Sequence, residues 1–106
     1  MPLLKIANSL EEAKTIIPLA KTRLIVVNDV PICLAHTQAG LFAIEDTCSH
    51  LGESLSKGTT NYLNEVICPW HSYRFSLISG EEAKERCRKL KTYPLISQPD
   101  GLYIDV

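Results

Sequence analysis

The chain has 106 residues, of which 45% are hydrophobic and 22% are charged, which is the size and composition of one globular domain. Its formal net charge of -1 excludes the broad basic surface that follows a phosphate backbone, so nucleic acid is not an expected partner. No apolar run approaches the roughly 20 residues that cross a bilayer, and no basic and then apolar leader opens the sequence. We therefore expect a cytoplasmic protein without a membrane span.

The first elements in the chain are a strand and a short helix. Residues Leu3–Ala7 predict the strand, Ser9 can cap the helix with Glu12 bonding back to it, and Pro18 ends the helix at the latest. Three apolar, β-branched-rich runs follow, separated by turn-forming residues at 29–31 and 38–40. These runs predict an antiparallel meander with strands at 23–28, 32–37 and 41–45.

Two loops interrupt the regular pattern in the middle of the chain. The stretch 46–60 is rich in Ser, Thr and Gly and has no hydrophobic period, so we expect a loop that is shaped by something other than its own packing. A second loop at 69–72 lies between predicted strands at 65–68 and 73–78, before a turn at 79–80. The sequence thus predicts two hairpin-like arms with loops at their tips.

The last quarter of the sequence combines a charged stretch with a closing hairpin. Residues 81–91 are strongly charged and favour a helical turn. Residues 91–97 and 102–106, joined around 99–101, predict the hairpin. We therefore predict one mostly β domain over residues 1–106, built from small stacked antiparallel sheets.

Four cysteines in a chain without a secretory signal indicate metal or redox chemistry before disulfides, because reducing compartments keep thiols unpaired. Two of them stand close to a histidine: Cys48 lies two residues before His50, and Cys68 lies three residues before His71. Each arm therefore offers one sulfur and one nitrogen. A 2Fe-2S cluster can place both cysteines on one iron and both histidines on the other, which is the ligand set of a Rieske centre.

The segments CSHLG, from position 48, and CPWHSYRF, from position 68, resemble the two cluster loops of the Rieske family. The resemblance covers almost the whole chain. It implies the Rieske-type iron-sulfur fold, with two cluster-binding hairpin loops in an arm at about 46–80. It also implies four ligands of one 2Fe-2S cluster: Cys48 and Cys68 on the inner iron, and His50 and His71 on an outer iron near the surface.

Residues missing from the two loops indicate the subclass of Rieske centre. High-potential Rieske proteins of quinol oxidation join the loops by a disulfide at the positions of Glu53 and Trp70, which cannot form here. They also place hydroxyl donors to cluster sulfur at the positions of Tyr73 and Phe75, and Phe75 cannot donate. Fewer donors favour a lower potential. The chain therefore resembles the ferredoxin components and Rieske domains of aromatic-ring dioxygenase systems.

The chain departs from those ferredoxins in two places. Ser72 stands where glycine commonly follows the second histidine, so we expect a local backbone that suits a residue with a Cβ. The stretch 81–91 lacks the proline-containing loop that often covers the cluster in those ferredoxins.

The resemblance implies an electron-transfer protein, not an enzyme, that carries single electrons from a flavin reductase to a terminal oxygenase or similar acceptor. A self-contained oxygenase is excluded, because oxygen activation at non-haem iron needs two more histidines and a carboxylate, and only His36 remains. Two alternatives stay open. One is the small Rieske subunit of a larger reductase, such as a nitrite reductase, and the other is a redox-sensing or cluster-handling module.

A tetrahedral zinc site is the main structural alternative for two cysteines and two histidines. The single residue between Cys48 and His50 argues against it, because zinc knuckles usually have two or more residues between paired ligands. A degenerate domain without a cluster is also disfavoured, because all four ligands are present.

The remaining chemistry-bearing residues are expected to be structural. Cys33 and Cys87 have no partner motif, although Arg86 and Arg88 would favour the thiolate of Cys87 if that thiol is exposed. His36 lies in a strand pattern. Two aromatic residues are expected to pack around the base of the cluster and, second, to take part in docking: Trp70 and Tyr73.

Overall fold

The computed structural model describes residues 3–48, 54–69 and 72–106. The elements within these ranges are β1 (Leu3–Ala7), α1 (Leu10–Ile16), β2 (Thr22–Val27), β3 (Val30–Thr37), β4 (Gly40–Glu45), a 3-10 helix (Leu55–Lys57), β5 (Thr59–Thr60), β6 (Glu65–Ile67), β7 (Arg74–Ser76), β8 (Thr92–Tyr93), β9 (Leu95–Gln98) and β10 (Gly101–Asp105). The strands form three antiparallel sheets, ordered β1-β10-β9, β2-β3-β4-β8 and β5-β6-β7. The prediction of a mostly β protein with small antiparallel sheets is confirmed.

The predicted strand and helix at the start of the chain are both present. Ser9 has an extended backbone, and its hydroxyl accepts a 3.0 Å hydrogen bond from the backbone N–H of Glu12. The return bond differs from the prediction, because the Glu12 carboxylate accepts from the backbone and side-chain nitrogens of Asn8 and not from Ser9. The helix ends at Ile16, two residues before Pro18.

The predicted meander is confirmed, but its first turn is shorter than expected. Asn28 and Asp29 alone form the turn, with φ values of 51° and 65° that suit a two-residue hairpin connection. Val30 and Pro31 therefore belong to β3, where Pro31 pairs with Val26. Proline is tolerated there because the position lies at the start of the strand.

Strand β3 is buried on both faces because it lies between two packed groups of side chains. We call one group the basal core and the other the arm core. Ile32 and Leu34 pack into the basal core, and Cys33 and Ala35 pack into the arm core. The buried residues of the basal core are Ile17, Val27, Ile32, Leu34, Ala43, Tyr93 and Ile104. The buried residues of the arm core are Cys33, Ala35, Ile44, Cys48, Leu55, Val66, Cys68, Phe75, Leu77 and Leu90.

The predicted closing strand at 91–97 is divided in two at Pro94. Thr92–Tyr93 pairs with β4, whereas Leu95–Gln98 pairs with β10 in the terminal sheet. Proline lacks a backbone N–H and restricts the residue before it, so the chain changes sheets at this point. Strand β10 also pairs with β1, which joins the two ends of the described chain.

Residues 54–60 contain regular structure where the composition of the stretch 46–60 predicts a loop. Residues Leu55–Lys57 form the 3-10 helix, and Thr59–Thr60 pairs with β6 in the third sheet. No helix in the described ranges is long and apolar enough to cross a bilayer.

Candidate metal centre

Cys48 lies three residues beyond the end of β4, at the entrance to the first predicted cluster loop, and its side chain is completely buried. The two ends of this loop are tied together at its base. Thr47 and Ser54 form an antiparallel bridge, and the backbone N–H of Leu55 donates to the carbonyl of Asp46 at 3.3 Å. The chain therefore returns to the same place after the loop, which fixes where Cys48 enters the arm core.

Asp46 organises the base of the first loop, and the sequence analysis missed it. Its buried carboxylate accepts a hydrogen bond from the Ser54 hydroxyl and a 2.7 Å hydrogen bond from the backbone N–H of Ser56. The hydroxyls of Ser54 and Ser56 lie 2.8 Å apart. The available signal was an aspartate followed by serines in a stretch without hydrophobic period, because such side chains bond to nearby backbone groups.

Cys68 lies directly after β6, at the entrance to the second loop, and it is also completely buried. Its backbone N–H donates a 2.8 Å hydrogen bond to the carbonyl of Tyr73, which continues the β6-β7 pairing of Ile67 with Arg74. The second loop is therefore closed at its base in the same manner as the first.

Ser72 contradicts the expectation that the backbone here suits a residue with a Cβ. Its φ is 55°, in the left-handed region that costs L-amino acids about 1–2 kcal/mol. Glycine adopts this conformation without that cost, and this chain adopts it with serine. The chain turns at Ser72 in such a way that the carbonyl of Tyr73 accepts the hydrogen bond of Cys68.

The two predicted thiolate ligands meet in one place. Cys48 and Cys68 come from different sheets, and both are fully buried members of the arm core. Leu55, Val66 and Phe75 belong to the same packed group, so the two cysteines share this core with apolar side chains. Two cysteines brought together in this way suit the sulfur half of a metal or cluster site, because thiolate ligands are shielded there from water. His50, His71 and Trp70 lie outside the described residues.

Cys33 is a third buried thiol of the arm core, and its environment suits a structural role. Burial raises the pKa of the Cys33 thiol well above its ordinary value, and the negative charge of Asp46 adds to the rise. The thiolate is thus disfavoured at this position, as expected for a residue that packs as a small hydrophobe. His36 is also structural, since its Nδ1 lies 2.6 Å from the carbonyl oxygen of Ile17.

Residues 81–91, which we call the strap, run along the edge of β7 and do not form the predicted helical turn. Phe75 and Glu82 form an isolated antiparallel bridge that ties the strap to β7. The Glu82 carboxylate accepts from the backbone N–H groups of Lys84 and Arg86, at 3.0 and 2.9 Å, and Glu85 has a φ of 56°. These interactions compete with helical hydrogen bonds, which explains the irregular path.

The strap is fixed at both ends and packs against the arm core. Leu90 is buried in that core, and its backbone N–H donates to the carbonyl of Gly80 at 2.8 Å. Gly80 has a φ of 83°, and a Cβ there would come within 2.0 Å of the Leu90 carbonyl oxygen. Near this end, Arg88 donates two hydrogen bonds to Glu45, at 3.1 and 2.8 Å, which lower the pKa of that carboxyl.

Comparison with known proteins gives the family. Residues 8–94 match the Rieske [2Fe-2S] domain. The chain belongs to this family. Membership brings one Rieske-type 2Fe-2S cluster, and the buried pair Cys48 and Cys68 fits that cofactor.

The relatives of this Rieske protein are ferredoxins. It is 36% identical over 76 residues to the 3-phenylpropionate/cinnamic acid dioxygenase ferredoxin subunit of Photorhabdus laumondii, and the match covers 71% of this chain and 72% of the relative. Such ferredoxin components transfer electrons and are not themselves the catalytic enzymes. The sequence-based prediction of an electron-transfer protein is therefore confirmed.

Solved structures confirm the fold over nearly the full chain. The ferredoxin of carbazole 1,9a-dioxygenase from Nocardioides aromaticivorans superposes with a TM-score of 0.82 at 18% identity, covering 98% of this chain and 97% of that one. A protein described as an NADH-dependent nitrite reductase small subunit from Mycobacterium tuberculosis superposes with a TM-score of 0.78 at 14% identity, covering 98% and 96%.

Proposed function

We propose that this Rieske ferredoxin carries single electrons from a flavin reductase to a terminal oxygenase or a similar acceptor. The observation that supports the proposal is the 36% identity with a dioxygenase ferredoxin subunit over 72% of that relative's length. The relative works beside an oxygenase according to its name, and the size and nearly neutral charge of this chain suit transient docking on more than one partner. We further propose that it works in the cytoplasm.

In the proposed site, Cys48 and Cys68 bind the inner iron, and His50 and His71 bind the outer iron. The complete burial of both cysteines supports the first assignment, because thiolates bind best where backbone and apolar groups exclude water. The assignment of the histidines rests on their spacing from the cysteines. Residues 1–106 act as one Rieske domain, with the cluster-binding arm at about 46–80.

The bound cluster supplies the one-electron chemistry. Two ferric ions, two sulfides and two thiolates sum to a neutral oxidised centre, and reduction adds one negative charge. The protein's own contribution is to bury the thiolates in the arm core and to fix the bases of both loops through the Thr47–Ser54 bridge and the Cys68–Tyr73 hydrogen bond. Rigid loop bases limit the structural change that accompanies reduction.

Substitution of each cysteine tests the ligand assignment. Cys48→Ser and Cys68→Ser each remove a thiolate and should abolish the visible absorbance of the cluster. Cys33→Ser is the matched control in the same core, since Cys33 is also fully buried, and it should retain the cluster. Cys87→Ser should retain it as well. Loss of the cluster in either control, or its retention after substitution of Cys48 or Cys68, would refute the assignment.

The full-length match to a nitrite reductase small subunit fold supports a second candidate, a subunit of a larger reductase. Purification of the tagged protein from its native host at low salt separates the two candidates. A shuttle should elute alone at the mass of the single chain, because its contacts with redox partners are short-lived. A stable one-to-one complex with a large reductase subunit would favour the second candidate over the first.

A further inference from the structure

The strap extends the third sheet beside the second cluster loop. The backbone N–H of Ser76 donates to the carbonyl of Glu81 at 2.9 Å, and the N–H of Ala83 donates to the carbonyl of Arg74 at 2.8 Å. The strap therefore pairs with β7 at the strand that returns directly from the loop. This pairing holds the side chains of the strap in a constant position relative to β7.

Glu82 of the strap has a buried carboxylate that accepts four hydrogen bonds. Its side chain has no exposed surface, and it accepts from Arg86 Nε and Nη2, both at 2.9 Å. The backbone N–H groups of Lys84 and Arg86 are its other two donors. The Arg86 guanidinium lowers the pKa of Glu82 to about 2, so the carboxylate is charged at neutral pH. A buried charge with four donors fixes the plane of the arginine that pairs with it.

Arg86 in turn covers the side chain of Tyr73. The centre of its guanidinium lies 3.7 Å from the centroid of the Tyr73 ring, within the range of a cation-π contact. Tyr73 is the residue whose carbonyl accepts the hydrogen bond of Cys68. Contacts thus connect the buried carboxylate of Glu82 with the proposed ligand Cys68 through Arg86 and Tyr73.

A second arginine of the strap, Arg88, pairs with a carboxylate on a different strand and serves as a comparison. Arg88 also donates two hydrogen bonds to one carboxylate, that of Glu45, but this pair joins the strap to β4. It is more open to solvent, since Glu45 is 24% exposed and Glu82 is fully covered. The strap therefore offers two arginine–glutamate pairs of similar geometry, and the arginine of the Arg86–Glu82 pair lies over Tyr73, at the base of the second loop.

We propose that Arg86, fixed by the buried carboxylate of Glu82, is a positioning residue for the second cluster loop. Its guanidinium packs on the Tyr73 ring and so holds in place the Tyr73 carbonyl, which accepts the hydrogen bond of the Cys68 backbone N–H. The inference rests on the proposed assignment of Cys68 as a ligand. Two consequences follow, one for retention of the cluster and one for its reduction potential.

Retention of the cluster should depend on Arg86, because loss of the Arg86 contacts lets Tyr73 and the base of the second loop move. Groups that orient metal ligands from the outside typically change metal affinity by about 10- to 100-fold when they are removed. The potential should depend on the charges, because the reduced cluster carries one more negative charge than the oxidised cluster. Removing the Arg86 cation then lowers the potential, and removing the Glu82 anion raises it.

The test uses the holoprotein with three substitutions: Arg86→Met, Glu82→Gln and, as the matched control, Arg88→Met. The iron and sulfide content of the wild-type protein is measured first, so that a protein without a cluster refutes the proposed function separately from this inference. For each variant, the decay of the visible absorbance in excess iron chelator, the midpoint potential by voltammetry and the thermal midpoint by circular dichroism are compared.

Arg86→Met should lose the cluster about tenfold faster than Arg88→Met, even where the two variants have similar thermal midpoints. Its potential should fall while that of Glu82→Gln rises. If Arg86→Met does not fold, because it leaves the Glu82 carboxylate unpaired, the double variant Glu82→Gln, Arg86→Met replaces it and should show the same fast loss. Equal rates of loss in the Arg86 and Arg88 variants, or potential shifts of the same sign for Arg86→Met and Glu82→Gln, would overturn the proposal.

Discussion

Gly58 and Ile67 lie so close that a Cβ on Gly58 would come within 1.9 Å of the Ile67 carbonyl oxygen. Gly58 follows the 3-10 helix, and its φ of -93° is accessible to any residue. Glycine is therefore required by the close approach of the two backbones and not by its own conformation. Because Ile67 directly precedes Cys68, this contact adjoins the second loop.

Gly58→Ala should destabilise the protein by about 1–3 kcal/mol, because a Cβ would force the backbones apart as overpacking does. The displaced Ile67 should also weaken cluster retention in excess chelator. Gly40→Ala is the control: nothing lies within 4 Å of its Cβ position, and only its φ of 129° opposes the change. It should lose stability without faster cluster loss, and faster loss in Gly40→Ala alone would contradict the account.

Ser72→Gly should stabilise the protein by about 0.5–1 kcal/mol, net of the greater freedom of glycine in the unfolded chain. The gain comes from relief of the left-handed backbone at φ 55°. Denaturation followed by circular dichroism measures the change. Ser97→Gly, on an exposed position of β9, should instead destabilise by about 0.5–1 kcal/mol. Equal destabilisation of both variants would show that Ser72 is not strained.

Acid should remove the contribution of Glu82 to stability over a defined pH range. The pKa of Glu82 falls from an ordinary 4.5 to about 2 on folding, first because of its hydrogen bonds with Arg86. The charged carboxylate thus stabilises the fold fully above pH 4.5, and the contribution disappears as the pH falls towards 2. Thermal midpoints of wild type and Glu82→Gln should converge across this range. Glu81→Gln, an exposed neighbour, should follow the wild type, and parallel curves for Glu82→Gln would refute the assignment.

The midpoint potential should lie near the bottom of the Rieske range, on the order of -150 to 0 mV. The residues at positions 53 and 70 cannot form a loop disulfide, and Phe75, a fully buried arm-core residue, has no hydroxyl to donate to sulfur. Protein-film voltammetry provides the measurement. A midpoint near the top of the range would mean that donors other than these control the potential.

Local signals in the sequence predicted the local features of the fold. Ser9 with Glu12 three residues later predicted the helix, and apolar, β-branched-rich runs separated by turn residues predicted the meander. Features set by distant contacts were not predictable in the same way. The prediction of a helical turn at 81–91 was wrong. The backbone N–H groups that a helix would use donate instead to β7 and to the Glu82 carboxylate.

The site shows the same division. The spacing of Cys48 and Cys68 from their histidines predicted a metal centre, and the structure brings these two cysteines into one core. Asp46 and Arg86 were not predicted, because their roles depend on Ser56 and Tyr73, which approach them only in the folded chain. Ser72 was interpreted wrongly because a residue type does not reveal its own φ.

Iron and acid-labile sulfide analysis of the purified protein tests the central claim most directly. A Rieske centre bound by Cys48, His50, Cys68 and His71 predicts a red-brown protein with about two irons and two sulfides per chain. Stoichiometric zinc without sulfide would contradict the account, because a tetrahedral zinc site is the other centre that two cysteines and two histidines can form.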